Sequence, residues 1–311
     1  EKDQEKSDEY FKRAFISFLA MDKQNSDDKT EYRIGWMYQN GVGTDKDINK
    51  AKEYFEKSAK LGNEFSMYSL AKIILSEENP TKEEFIKAIE YLNKSAEKGN
   101  QSAQYTIGKI YYEGKIVPKD ITKAMKLLYL SAQQGNEWAN YTLGKIYLSE
   151  VGYIDITKAI EYLNKSAESG NQFAQYALGK IYLQGAIVPK DVKMSIKYFM
   201  MAAEQNNSNA EYQLGKIFFY EKEVKDINQS RYWLNISIKN GNIFAQNLLN
   251  YINNPYSSKN ISLILMQSIL DFFCEKNFNN NKKAFSKDLS KAEKIEFAKK
   301  QKDRSITWER E

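Results

Sequence analysis

Histidine is absent from all 311 residues. That one absence removes serine–histidine–aspartate triads, cysteine–histidine dyads, HExxH zinc sites and every histidine general base. Cysteine occurs once, at Cys274, which excludes an internal disulfide framework and a multi-cysteine zinc site. Four prolines and 15 glycines are too few for a loop-rich or collagen-like chain. No uninterrupted apolar run approaches the length of a membrane-spanning helix. Arginine is scarce: five of the 46 basic residues, the rest being lysine, which weakens any case for bidentate reading of phosphate or guanine.

What is present suits a soluble chain with a core: 42% hydrophobic residues, 28% charged, mean hydropathy −0.66. The net charge of +5 is unevenly placed. Residues 276–311 carry eleven Lys or Arg against six Asp or Glu, so the remainder is neutral. The chain starts at Glu1 rather than Met, and its first thirty residues are polar and charged with no signal peptide. It is therefore expected to be a fragment or an already processed chain, located in the cytoplasm.

The strongest signal is an internal repeat. Gly62-Asn63, Gly99-Asn100, Gly135-Asn136, Gly170-Asn171 and Gly241-Asn242 recur, with Asn206-Asn207 in the same slot, at spacings of 35 to 37 residues. Five residues after each of the first Asn residues stands a tyrosine, and three further on a small residue such as Gly108, Gly144 or Gly179. A second stretch follows in each unit, for example Ala159, Tyr162-Leu163 and Ala167. The i, i+3, i+4, i+8 spacing describes one apolar helix face, so each unit is read as two amphipathic helices, A then B. Asp47, Asp120, Asp155, Asp191 and Asp226 are placed to cap the start of helix B. The Gly of each Gly-Asn pair suits a left-handed position after helix B, and the Asn can cap the next helix A. Pro118 and Pro189 fall in the A–B loops. No unit can cover its own apolar face, so the units must stack.

Stretches such as 174–182 (AQYALGKIY), Val188-Pro-Lys-Asp191 and 162–171 (YLNKSAESGN) resemble Sel-1-like repeats, a tetratricopeptide-related family. The resemblance covers roughly Thr30 to Tyr251, six full units and a final half. Ala71, Ile74 and Asn206 depart from the pattern locally. The resemblance implies an all-α, right-handed superhelical solenoid of antiparallel helix pairs. It also implies a non-catalytic scaffold or adaptor for other proteins, needing no cofactor or metal. The expected organisation is an N-terminal capping helix or half repeat at 1–29, the array at 30–252, a C-terminal capping helix at 253–275, and a basic tail with a short helix at 276–311.

At about 100° per residue, Ser102, Tyr105 and Lys109 share one stripe of helix A, opposite Ile107 and Tyr111. By analogy with tetratricopeptide arrays this stripe is the concave face. Its repeats give a ladder of Lys72, Lys109, Lys145, Lys180 and Lys216 beside Tyr68, Tyr105, Tyr141, Tyr176 and Tyr212. Phe65, Trp138, Phe173 and Asn209 take the Ser102 position. Stacked aromatics with one cation per unit suit an acidic, extended or helical peptide. The same residues admit a plainer reading, with tyrosines wedged between units as core and lysines merely solvated. Five evenly spaced lysines could also follow phosphates, but the array is neutral and nearly free of Arg. Asn93 and Asn164 fit the glycosylation pattern but sit within helix B, and the Asp caps have no paired carboxylate that would suggest catalysis.

At the ends, Glu9 to Asp22 reads as a helix with Phe15, Phe18 and Leu19 on helix B core positions. Ile261 to Phe273 reads as an apolar helix, either a cap over the last repeat or an oligomerisation helix; its few basic residues argue against a membrane surface. Ser290-Lys-Ala-Glu293 is a capping box that opens a Lys/Glu-rich helix. That tail, the one segment whose charge suits nucleic acid, is similar to the ends of some mobile-element relaxases of low-GC Gram-positive bacteria. The similarity implies an alternative: the C-terminal interaction region of a DNA-processing relaxase whose catalytic domain lies upstream.

Overall fold

The computed structural model describes residues 2–254. The expected C-terminal cap, the basic tail and Cys274 lie outside the described residues, past Asn254. All regular structure among the described residues is helical, in 14 α-helices and one 3-10 turn. The described residues fall into two compact units that divide after Ala210.

The first unit opens with α1 (Lys2–Gln24), followed by five helix pairs. These are α2 (Asp28–Asn40) with α3 (Ile48–Lys60), α4 (Glu64–Leu75) with α5 (Lys82–Glu97), and α6 (Gln101–Glu113) with α7 (Ile121–Gln133). The pairs α8 (Glu137–Ser149) with α9 (Ile156–Glu168) and α10 (Gln172–Gln184) with α11 (Val192–Ala203) complete it. The second unit contains most of α12 (Ser208–Tyr220), a 3-10 turn (Lys222–Val224), α13 (Ile227–Lys239) and α14 (Ile243–Asn253).

One dipeptide makes each junction between repeats. After α3, the Gly62 amide donates to Ala59 O at 3.0 Å and the Asn63 amide to Ser58 O at 3.1 Å, the paired bonds of a Schellman motif. Gly62 takes φ +98° to allow this. The Asn63 side chain then accepts from the Ser66 amide at 2.9 Å and caps α4. Asn100, Asn136, Asn171 and Asn242 cap α6, α8, α10 and α14 in the same way. Asn206, in the glycine slot, has φ +60° and is the one non-glycine residue with positive φ among the described residues. Asp47, Asp120, Asp155, Asp191 and Asp226 each cap a helix B as the sequence suggests. Helix α5 differs: Thr81 and Glu84 form a full capping box there.

Two boundaries run wider than the sequence reading. Helix α1 extends from Lys2 to Gln24 rather than from residue 9 to 22, because its flanks hold helix-forming Lys, Glu and Gln without Gly or Pro. Helix α2 begins at Asp28, where Asp27 caps it by accepting from the amides of Lys29 and Thr30.

The core is a series of clusters, and in the first unit each includes packing of a helix B on the next helix A. Ala124 and Leu128 of α7 pack with Ala139, Leu143 and Ile146 of α8; Leu163 and Ala167 of α9 pack with Ala174, Leu178 and Ile181 of α10. Phe15 of α1, with Phe18 and Leu19, covers Ile34 and Met37 of α2 as a helix B would. In the second unit Leu234 of α13 packs with Ala245, Leu248 and Leu249 of α14. Within each pair except α4–α5, where Ala71 takes the slot, the helices meet at glycine. A Cβ on Gly144 would lie 2.7 Å from Leu163 Cγ, and one on Gly179 would lie 2.7 Å from the Phe199 ring.

Buried serines add a second fastening. Ser58, Ser95, Ser131 and Ser166 of helices B are fully buried. Each donates to the first-turn carbonyl of helix A in its own repeat: Asp28, Glu64, Gln101 and Glu137, at 2.6 to 2.8 Å.

Candidate partner-binding face

Positions 65, 68 and 72 of α4 are spaced three and four apart, so they form one stripe. The N-terminal Asn cap fixes where that stripe begins in each helix A. In the first unit the stripe recurs as Ser102, Tyr105 and Lys109 on α6, Trp138, Tyr141 and Lys145 on α8, and Phe173, Tyr176 and Lys180 on α10.

The structure divides the stripe by depth. Lys72, Lys109, Lys145 and Lys180 are exposed. Phe65, Trp138 and Phe173 are also exposed, at 48%, 39% and 44%, far outside the range of core aromatics. Tyr68, Tyr105, Tyr141 and Tyr176 lie between, half-buried. The plain reading of the tyrosines is thus partly met: Tyr68, Tyr105 and Tyr141 flank core clusters shared with the following repeat. Burial raises the phenol pKa of Tyr105 and Tyr141 above its usual value, with the Tyr105–Thr142 hydrogen bond opposing it. These rings stay neutral and act as apolar platforms with a polar tip.

Ring contacts join neighbouring helices A. Tyr32 and Phe65 have centroids 5.7 Å apart, Trp138 and Phe173 5.5 Å, and Tyr141 and Phe173 6.3 Å. Lys145 and Lys180 extend over Tyr141 and Tyr176 at 5.6 and 5.9 Å from the ring centres, a cation–π arrangement between residues four apart. Lys109 instead approaches Glu113 at 3.7 Å. In the second unit Lys216 lies 5.7 Å over Tyr212, and Tyr212 is 6.4 Å from Phe244. Lys216 is half-buried there, unlike the other four lysines.

Two residues of this stripe escaped the sequence reading. Trp36 of α2 occupies the lysine position and is 43% exposed; Phe244 of α14 occupies the Ser102 position and is 50% exposed. Counting one repeat upstream from Lys72 and one downstream from Asn209 reaches both.

Among the described residues, no group of three or more His, Cys, Asp or Glu could hold a metal ion. No described helix is long and apolar enough to cross a membrane.

Comparison with curated proteins finds no match. Among solved structures, the fold is similar to c5321, a protective antigen of uropathogenic Escherichia coli strains with an SLR fold. The TM-score is 0.70 and the identity 28%, over 90% of this chain and 60% of the antigen, so the chain spans about three-fifths of that protein's length. It is also similar to a Sel1 repeat protein from Oxalobacter formigenes, with a TM-score of 0.64 and 27% identity over 74% of this chain and 67% of that one. The Sel1 repeat model matches six times, at residues 29–63, 65–100, 101–136, 139–171, 172–207 and 208–242. Those matches coincide with the helix pairs and their Asn junctions, and they cover more than half of the sequence: the chain belongs to the Sel1 repeat family.

Proposed function

We propose that this chain is a scaffold whose helix A face binds an acidic, extended or helical segment of a partner protein. Sel1 repeat proteins are in general scaffolds for protein–protein interaction. The observation that carries the finer reading is the exposure of Phe65, Trp138 and Phe173 on the same stripe as four exposed lysines. Large aromatics that pack along one edge between neighbouring helices A yet keep nearly half of their surface in water hold area that folding has not used, and against a partner they supply it at low entropic cost. The lysines add charge complementarity, with each exposed pair contributing about 0.2–1 kcal/mol, so several must act together.

The test is charge reversal of Lys109, Lys145 and Lys180 to Glu in one variant. The variant should remain folded, because it loses only two exposed cation–π contacts and one exposed ion pair, about 1–3 kcal/mol in total. Proteins retained by the immobilised parent at low salt should be lost by the variant, and from the parent as salt is added. A variant that retains the same proteins as the parent would refute this binding face.

A further inference from the structure

We infer that the face holds two separate aromatic anchor points, and that it takes a peptide with two apolar residues flanking an acidic spacer. The inference rests on the scaffold reading above and specifies its partner.

The first anchor is the Tyr32–Phe65 pair on α2 and α4, with exposed Trp36 beside it. The second is the trio Trp138, Tyr141 and Phe173 on α8 and α10. Between them, α6 places Ser102 where the flanking helices place Phe65 and Trp138. A serine offers neither area nor a ring face, so the row of exposed rings is interrupted for one repeat, where only half-buried Tyr105 remains. Charge is available at the interruption. Lys72 makes no ion pair or ring contact among the described residues, and the pairing of Lys109 with Glu113 is solvent-exposed and readily exchanged. Lys145 is instead drawn over Tyr141 of the second anchor, and Lys180 over Tyr176, one turn along α10 from Phe173. The face therefore reads apolar, cationic, apolar.

Helix α4 to α8 is two repeats, about 20 Å at ~10 Å per helix spacing. An extended chain advances ~3.3 Å per residue, so the two apolar residues of the partner should stand about six positions apart. Acidic residues in the intervening positions would face Lys72 and Lys109.

A random 12-residue peptide library displayed on phage, selected on the whole chain, tests this directly. The expected result is enrichment of pairs of large apolar residues five to seven positions apart with Asp or Glu between them. Synthetic copies of enriched peptides should lose affinity about tenfold with Phe65→Ser or with Trp138→Ser, one anchor each. Ser102→Phe fills the interruption and should shift selection to shorter spacing. Circular dichroism melts confirm that these surface variants remain folded. Enriched peptides with a single apolar residue, or with no preferred spacing, overturn the two-anchor inference and leave the binding face standing. Peptides that bind the Lys109, Lys145 and Lys180 charge-reversed chain as well as the parent overturn the face itself. A selection with no enriched sequence overturns both.

Discussion

Replacing Gly144 with leucine should break the closest helix contact in the fourth pair. A Cβ alone would stand 2.7 Å from Leu163 Cγ, 2.9 Å from Leu163 Cδ2 and 3.2 Å from Ala159 O. Leu163 is fully buried among Ala167, Ala174, Leu178 and Ile181, so it has no solvent to move into, and the carbonyl is backbone. Gly144→Ala sets two effects against each other: overpacking of about 1–3 kcal/mol, and a gain of about 1 kcal/mol because alanine forms helix better than glycine. Its net cost should be about 0–2 kcal/mol. Leucine keeps that gain only in part and adds atoms where there is no space, so α8 and α9 must separate, at about 2–4 kcal/mol. A control isolates sterics from backbone conformation. A Cβ on Gly135 meets nothing within 4 Å, but its φ is +87°. Asn206 already holds a left-handed conformation in that slot, so Gly135→Asn should cost about 1 kcal/mol or less. Urea unfolding followed by circular dichroism measures all three, with midpoints compared at unchanged slope. A leucine cost below about 0.5 kcal/mol, or one equal to that of alanine, would refute the claim that the pair closes on this glycine.

Two other perturbations probe the buried polar groups. Glu211 is 1% exposed, its Oε1 accepts from Asn240 at 2.7 Å, and its Oε2 has no partner among the described residues. Burial raises its pKa, with the Asn240 bond opposing, so the folded state holds the proton more tightly than the unfolded one. The destabilisation is thus present above the raised folded pKa and vanishes below the ordinary carboxylate value near pH ~4. Glu211→Gln should stabilise the protein by about 1 kcal/mol at pH 7 and by nothing below that point; equal effects at both would count against a buried charge. Ser131→Ala removes the bond to Gln101 O and should cost about 0.5–1.5 kcal/mol in urea unfolding, and adding Ser166→Ala, one repeat away, should about double it.

The repeat, the helix type and nearly every junction can be read from the order of residues alone. These are local matters. A Gly-Asn pair ends one helix and caps the next through hydrogen bonds that span at most five residues, so spacing alone locates it. The Asp caps and the apolar stripe are similarly short-range, and so was the fold class. Thr81 could have been read as well, since its partner Glu84 is three residues away. Depth was another matter. Tyr68, Phe65 and Lys72 are all on one stripe, and helical arithmetic cannot say that the first is half-buried while the other two are exposed. That depends on how far the next helix A leans over each position, which is set by packing across repeats. The serine bonds to carbonyls about thirty residues earlier, and the buried carboxylate of Glu211 held by Asn240, are likewise tertiary, made when helices A and B of one repeat fold back on each other. So is the interruption at Ser102: the residue is plain in the sequence, but rings only become neighbours, or fail to, once adjacent repeats bring their helices side by side.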